Sequence, residues 1–187
     1  MHNLIDELER PKWSELRTLI GFADFVPNSL RKLTDATTTE EIYEAYWNLD
    51  NRIVVQGSLF EAAEYVIPIL LNMLQNASDP IKASILELLI QMADGWNDKT
   101  EVSLGNTWLK DRCHREVQRG IAIFVFHLNS ESADIREHCV ELIGLTEDNV
   151  GRLVWLLRTV MDKVPDESVR EMAKYMLEQK KLIDFKL

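Results

Sequence analysis

Two Cys–His neighbours, Cys113-His114 and His138-Cys139, have the side-chain types that bind transition metals. A tetrahedral zinc site needs its ligands within ~2.0–2.3 Å of one ion. Folding the two helices that carry these pairs about Asn129-Ser130 sets Cys139 opposite roughly residue 120. Cys113 then stands about seven residues away, roughly 10 Å along a helix. The spacing points to two buried structural thiols. Arg112, Arg115 and Arg119 fall on one side of a helix and could grip a phosphate. The same stripe suits ion pairs with acids such as Glu116 or Glu141. The 31 acidic residues include chance pairs on helix faces, and no recognisable acid–histidine–nucleophile pattern accompanies such a pair. A Gly-rich phosphate loop, GxSxG, HExxH and CxxC are all absent from the sequence. No catalytic, cofactor-binding or metal residue is assigned, and the chain reads as a non-enzyme.

The whole composition bounds the function in the same direction. A chain of 187 residues with 46% hydrophobic content reads as one domain, with residues 1–36 as a helical extension and 37–187 as the main body. No apolar run approaches the ~20 residues that span a bilayer. The start, Met1-His2-Asn3-Leu4-Ile5-Asp6-Glu7, shows neither the basic nor the apolar region of a signal peptide. With Cys113 and Cys139 at core positions, the expectation is reduced thiols in a cytoplasmic protein. The net charge of −10 disfavours nucleic acid and anionic membranes as partners. Residues 1–104 hold 17 acids and 8 bases, whereas residues 105–187 hold 14 and 13. From Asp35 to Glu64 there are 7 acids against Arg52 alone. Such concentration points to a partner-facing acidic surface in the N-terminal half.

The elements that must position these residues are helical. Thr38 with Glu41, and Ser58 with Glu61, match the capping box, in which a hydroxyl and a carboxylate satisfy free backbone N–H groups. Gly57, tolerant of positive φ, suits the stop between the two helices. Leu59, Ala62, Ala63, Val66, Ile69, Leu70, Met73 and Leu74 form a 3.6-residue stripe, with Glu61, Glu64, Asn72 and Gln75 opposite. Pro68 should bend that helix. Upstream, Leu4, Ile5 and Leu8 predict a short amphipathic helix. Pro11 predicts the start of another, with Trp13, Leu16, Leu19 and Ile20 on one side. A loop is expected over Gly21–Asn28 and one helical turn over Ser29–Leu33.

Three later helices share a template with apolar side chains at zero, four, seven and eight. They are Ile81, Ile85, Leu88, Leu89; Ile135, Cys139, Leu142, Ile143; and Val169, Ala173, Met176, Leu177. A base follows the first position each time (Lys82, Arg136, Arg170), and an Asp precedes it (Asp79, Asp134, Asp166), suited to capping and to the helix dipole. Pro80 suits the first helical turn. Each template helix is preceded by another: Leu59–Gln75, Thr107–Leu128 and Asp148–Lys163. Leu109, Cys113, Ile121, Phe124, Val125 and Leu128 face inward on the second, and Val150, Leu153, Val154, Leu157, Val160 and Met161 on the third. Gly120–Phe126 has strand-like composition, but its flanks continue the helical stripe. Tandem antiparallel helix pairs build an α-solenoid. Ile135 and Val169 are 34 residues apart but Ile81 and Ile135 are 54 apart, the excess falling in a longer helix and in Asp94–Asn106.

The Ile/Val-Lys/Arg helix starts, preceded by Asp and paired with a Pro-bent helix, resemble HEAT repeats over roughly Ser58–Lys181. The resemblance implies an all-α solenoid of about three repeats plus the N-terminal extension. Trp47-Asn48-Leu49-Asp50-Asn51 and Gln56-Gly57-Ser58-Leu59-Phe60-Glu61-Ala62-Ala63 also resemble small bacterial HEAT-like immunity proteins of polymorphic toxin systems. That likeness implies a protein-binding module that neutralises a basic toxin, and it brings no catalytic residues. A cytosolic HEAT-like scaffold or adaptor, and a HEAT-like lyase or glycosylase, are the competing roles for such a fold. The glycosylase needs a basic surface that this charge opposes.

The recognition centre is expected on the helix after Thr38. Ile42, Ala45, Tyr46, Leu49 and Ile53 cluster on one side at ~100° per residue. Glu40, Glu44, Trp47 and Asn51 point the other way, where a neighbouring helix or a partner must cover the indole. Glu61 and Glu64 would extend the acidic surface if the next helix packs alongside. Trp96, Asp98 and Glu101 would add the Asp94–Asn106 loop, unless Trp96 caps the core beneath it.

Overall fold

The computed structural model describes residues 4–185. Among them are eleven α-helices and three two-residue strands, so the class is all-α. In chain order the elements are α1 (Leu4–Glu9), a 3₁₀ turn (Trp13–Glu15), α2 (Val26–Asp35), α3 (Thr39–Ile53), β1 (Val54–Val55), β2 (Ser58–Leu59), α4 (Ala62–Met73), α5 (Asp79–Asp94), β3 (Trp96–Asn97), α6 (Lys99–Ser103), α7 (Leu109–Gln118), α8 (Ile121–His127), α9 (Ala133–Thr146), α10 (Val150–Lys163) and α11 (Glu167–Gln179). Two compact units divide between Val117 and Gln118, at the end of α7.

The first unit is built on α4, which buries Ala62, Ala63, Val66, Ile67, Ile69, Leu70, Leu71 and Met73. A helix apolar on nearly every side belongs in a core, and α4 packs against both α1 and α5. On α5 the template residues Ile81, Ile85, Leu88 and Leu89 are all buried. Pro68 lies inside α4, as expected. Leu8 of α1 is buried, whereas the side chains of Leu4 and Ile5 lie outside the described set.

The N-terminal segment departs from expectation. No helix follows Pro11 beyond the 3₁₀ turn; Trp13 and Leu16 are buried, but Leu19 and Ile20 are exposed. The chain instead doubles back, with Arg17 bridged to Phe22 and Gly21 at φ +73°. Its backbone groups serve distant partners: the Leu19 N–H donates to Arg52 O at 2.8 Å, and Arg17 O accepts from the Ala62 N–H at 3.1 Å. Groups committed in this way cannot join an i→i−4 ladder. Past this segment α2 is longer than one turn, because Pro27 in its first turn supports an earlier start.

Ser58 and Glu61 do not form a capping box. Ser58 lies in β2, which pairs antiparallel with β1 and parallel with β3. Gln56 and Gly57 have φ of 49° and 83°, and two consecutive positive φ values make the two-residue hairpin turn favoured by strand twist. Gly57 thus takes the expected positive φ in a hairpin rather than at a helix stop. The Glu61 carboxylate turns to Arg17, and α4 starts at Ala62 without a side-chain cap.

In the second unit α8 pairs with α9, α10 with α11, and α9 also packs against α10 and α11. The template residues of α9 and α11 are all buried. At Gly144 a side chain would meet Met176 within 3 Å, so glycine permits the close approach of these helices. The expected Thr107–Leu128 helix is broken: α7 ends at Gln118 and α8 begins after Gly120, whose ψ of −4° departs from helical values in a residue of poor propensity. Gly120–Phe126 is nonetheless helical from Ile121, not strand. Val150, expected inward, is 40% exposed.

The template's polar positions act differently from a simple cap. Ser132, not Asp134, caps α9, and Asp79 sits inside the first turn of α5. Asp166 makes no side-chain bond to its own helix and pairs with Arg136. Arg136 also donates to Ser130 O, and Arg170 donates to Val164 O at 2.9 Å and Pro165 O at 2.6 Å. Each arginine therefore clasps the link that precedes its own helix.

Gly57→Ala should destabilise the protein by more than about 1 kcal/mol in chemical denaturation, since a Cβ there needs positive φ. It would also lie 2.3 Å from the Trp96 ring.

Candidate protein-binding face

Helix α3 starts from a complete capping box. The Glu41 N–H donates to the Thr38 hydroxyl at 3.2 Å, and the Glu41 carboxylate accepts from the Thr38 N–H at 3.1 Å and the Thr37 N–H at 2.7 Å. Those donors, Thr37 first, hold the Glu41 carboxyl below its usual range. From this start the helix is regular, and Ile42, Ala45, Tyr46, Leu49 and Ile53 are all buried against α2 and α5. Glu40, Glu44, Trp47 and Asn51 are all exposed, as the angular reading expects. Trp47 keeps 46% of its surface in solvent and the adjacent Tyr43 58%. Glu44 meets Lys32 at 2.7 Å, an exposed pair that contributes little to stability.

Along its edge α3 meets α5. Tyr43, Tyr46 and Trp47 line a cleft of about 110 Å³ with Ser84 and Glu87 of α5. The rings of Tyr46 and Trp47 stand 5.0 Å apart at 86°, so they form two walls of a corner. Behind this corner the Gln91 amide donates to the Tyr46 hydroxyl at 2.9 Å and to Asp50 Oδ1 at 2.8 Å. Burial first, then the charges of Glu87 and Asp50, pushes the Tyr46 phenol up beyond ordinary titration. The hydroxyl remains a neutral donor to carboxylate. Burial also raises the Asp50 carboxyl above its ordinary 3.8, against the opposing bond from Gln91. A carboxyl with a raised folded pKa favours the protonated folded state, so its stabilising effect is full at low pH and is lost as pH rises through that range. Asp50→Asn keeps an acceptor for Gln91 and removes the charge. Its melting temperature relative to the parent should be higher at pH 7 than at pH 3.

The other expected site residues gather elsewhere in the first unit. Glu101 is 1% exposed and is gripped by the Arg17 guanidinium at 2.7 and 3.1 Å, by Asn106 at 2.8 Å and by the Glu61 N–H at 3.3 Å. Burial pushes its carboxyl up, but the bonds from Arg17, Asn106 and Glu61 outweigh that and hold it low. Glu61 also pairs with Arg17, at 3.0 Å. Glu64 pairs with Arg112 at 2.7 Å, and Arg112 reaches Asn106 too. Asp98 caps α6 through the Thr100 N–H. Trp96 lies over Gly57 with 54% of its surface exposed. Of the nine residues expected at the site, Glu40, Glu44, Trp47 and Asn51 share one exposed face. Glu61, Glu64 and Glu101 are tied into the fold by two arginines, with Asp98 and Trp96 in the elements beside them. Tyr43 and Glu87 are the residues that the sequence reading missed. Tyr43 lies next to the outward arc of α3, and Glu87 is an exposed position between buried template residues of α5.

The cysteines and His138 have structural surroundings. Both cysteines are fully buried, and burial pushes the Cys113 thiol far up and the Cys139 thiol to about 12. The His138 ring nitrogen lies 2.7 Å from Asp134 O. Among the described residues no three His, Cys, Asp or Glu side chains are placed to hold a metal, and no helix is long and apolar enough to cross a membrane.

No protein-family model and no curated protein matches this chain. The chemistry available is therefore read from the α3 face alone: two exposed aromatic rings among carboxylates, on a capped helix, beside a cleft whose lining includes no basic residue. Such a face suits non-covalent capture of a cationic surface.

Glu101→Ala should cost about 3 kcal/mol of stability, because it strips Arg17 of a buried partner. Thermal unfolding should show that loss, whereas Glu40→Ala, on the open α3 face, should leave the midpoint within error.

Proposed function

We propose that this chain is a non-catalytic protein-binding module, and that it acts in the bacterial cytoplasm as an immunity protein that binds and neutralises a basic toxin. The observation that carries this reading is the exposed pair Tyr43 and Trp47, set among Glu40, Glu44 and Glu87. Aromatic anchors supply much of the energy of protein interfaces, and surrounding charge speeds and orients association. In support of the HEAT-like part of the reading, the template residues are buried in all three copies. The two arginine copies clasp their own links, and the second unit holds two successive helix pairs. The acidic face supplies the recognition surface, while Arg17, Glu61 and Glu101 hold the scaffold.

Co-expression with the product of the adjacent open reading frame tests the function. That product should stop growth when expressed alone and be silenced by this chain. Trp47→Ala should lose protection and weaken the complex by about 2 kcal/mol or more, with the melting temperature nearly unchanged. A harmless neighbour product, or full protection by Trp47→Ala, would overturn the proposal.

A further inference from the structure

We propose that the cleft between α3 and α5 is a receptor for a single arginine side chain of the protein partner, with Tyr43, Tyr46 and Trp47 as its aromatic walls and Glu87 as its counter-charge. The inference rests on the binding role proposed above and adds the chemical identity of the inserted group.

Four observations carry it. First, three of the five lining residues are aromatic, one is a carboxylate and the fifth is Ser84. An apolar ligand would use the rings but leave the Glu87 charge without a counter-ion, whereas a cation uses both. Second, Tyr46 and Trp47 meet at 86° with centroids 5.0 Å apart. Perpendicular rings offer a planar cation one face to stack upon and one edge to bound it. Arginine stacks on aromatic faces and pairs with carboxylates through a planar fork, while an ammonium is a strongly hydrated point charge. Third, the nearby bases are already directed elsewhere. Lys32 is bonded to Glu44, Lys82 to Asp79, and Arg52 lies 4.3 Å over the Phe25 ring. Fourth, the Tyr46 wall of the corner is held before anything binds. The Tyr46 hydroxyl is held by Gln91 and lies within reach of the Asp50 and Glu87 carboxylates. Pre-organised walls spare the ordering cost that binding otherwise incurs. Asp50, buried and bonded to the same Gln91 amide as Tyr46, adds a second carboxylate that does not itself line the cleft. The groups facing the cleft are therefore Ser84 and Glu87 from α5 and Tyr43, Tyr46 and Trp47 from α3, with Gln91 joining Tyr46 to Asp50.

The test needs no partner. N-acetyl-arginine amide would be titrated into the full chain while the Trp47 indole N–H is followed by NMR, its signal assigned with Trp47→Phe. N-acetyl-citrulline amide, the neutral urea of the same shape, is the control. The expected result is a saturable shift at millimolar arginine amide, confined to Trp47 among the five tryptophans, and no saturable shift with citrulline. Glu87→Gln should weaken arginine binding about three- to fivefold, the scale of one exposed cation–π or ion-pair contact, without altering the unfolding midpoint. Equal shifts with citrulline, no saturable shift with arginine, or unchanged affinity in Glu87→Gln would each overturn the receptor. Failure here leaves co-expression protection standing, and failure of protection leaves this titration unaffected, so the two proposals fall separately.

Discussion

A single buried carboxylate fixes much of the first unit. Glu101 is desolvated, and a charge so placed is tolerated only when its oxygens are fully bonded. Its donors come from the N-terminal doubled-back segment, the start of α4 and the end of the α6 loop. Arg17 then uses its remaining capacity on Glu61. Helix α4 has no side-chain cap of its own, so its start is held by these long-range bonds. The same N-terminal segment also reaches the end of α3, through Leu19 to Arg52 O and through Phe25 beneath the Arg52 guanidinium. The exposed face of α3 therefore stands on a frame that one ion-pair cluster holds together.

Features decided within one helix were legible in the residues. The Thr38 box closes within four residues, and the inward and outward arcs of α3 follow from a regular 3.6-residue turn. The three template helices repeat one burial pattern for the same reason. Features decided across the chain were not legible. Ser58 and Glu61 match the same capping pattern as Thr38 and Glu41, yet Glu61 has a stronger partner 44 residues away. The hairpin at Gln56-Gly57 is shorter than any alternation that would announce it, and β3 joins from residue 96.

The charge count shows the same limit. The acidic excess before residue 105 reads as surface, but Glu61, Glu64 and Glu101 are bound by Arg17 and Arg112. Arg112 comes from the nearly neutral C-terminal stretch, beyond residue 104. What remains open to solvent on α3 is a smaller and better defined set, and its cleft exists only because α5 lies beside it. Neither Tyr43 nor Glu87 is conspicuous alone, since the corner they border belongs to two helices.

The arginine clasps carry a consequence for how such a protein could grow. Arg170 bonds the backbone of Val164 and Pro165, a few residues before it in the same segment, and Arg136 does the same to Ser130. The instruction for closing each link is thus written inside the piece of chain that it closes. A stretch of gene encoding one such hairpin, copied in tandem, would carry its own fastening into the new copy. Length could then change by whole units while the existing bends stay intact.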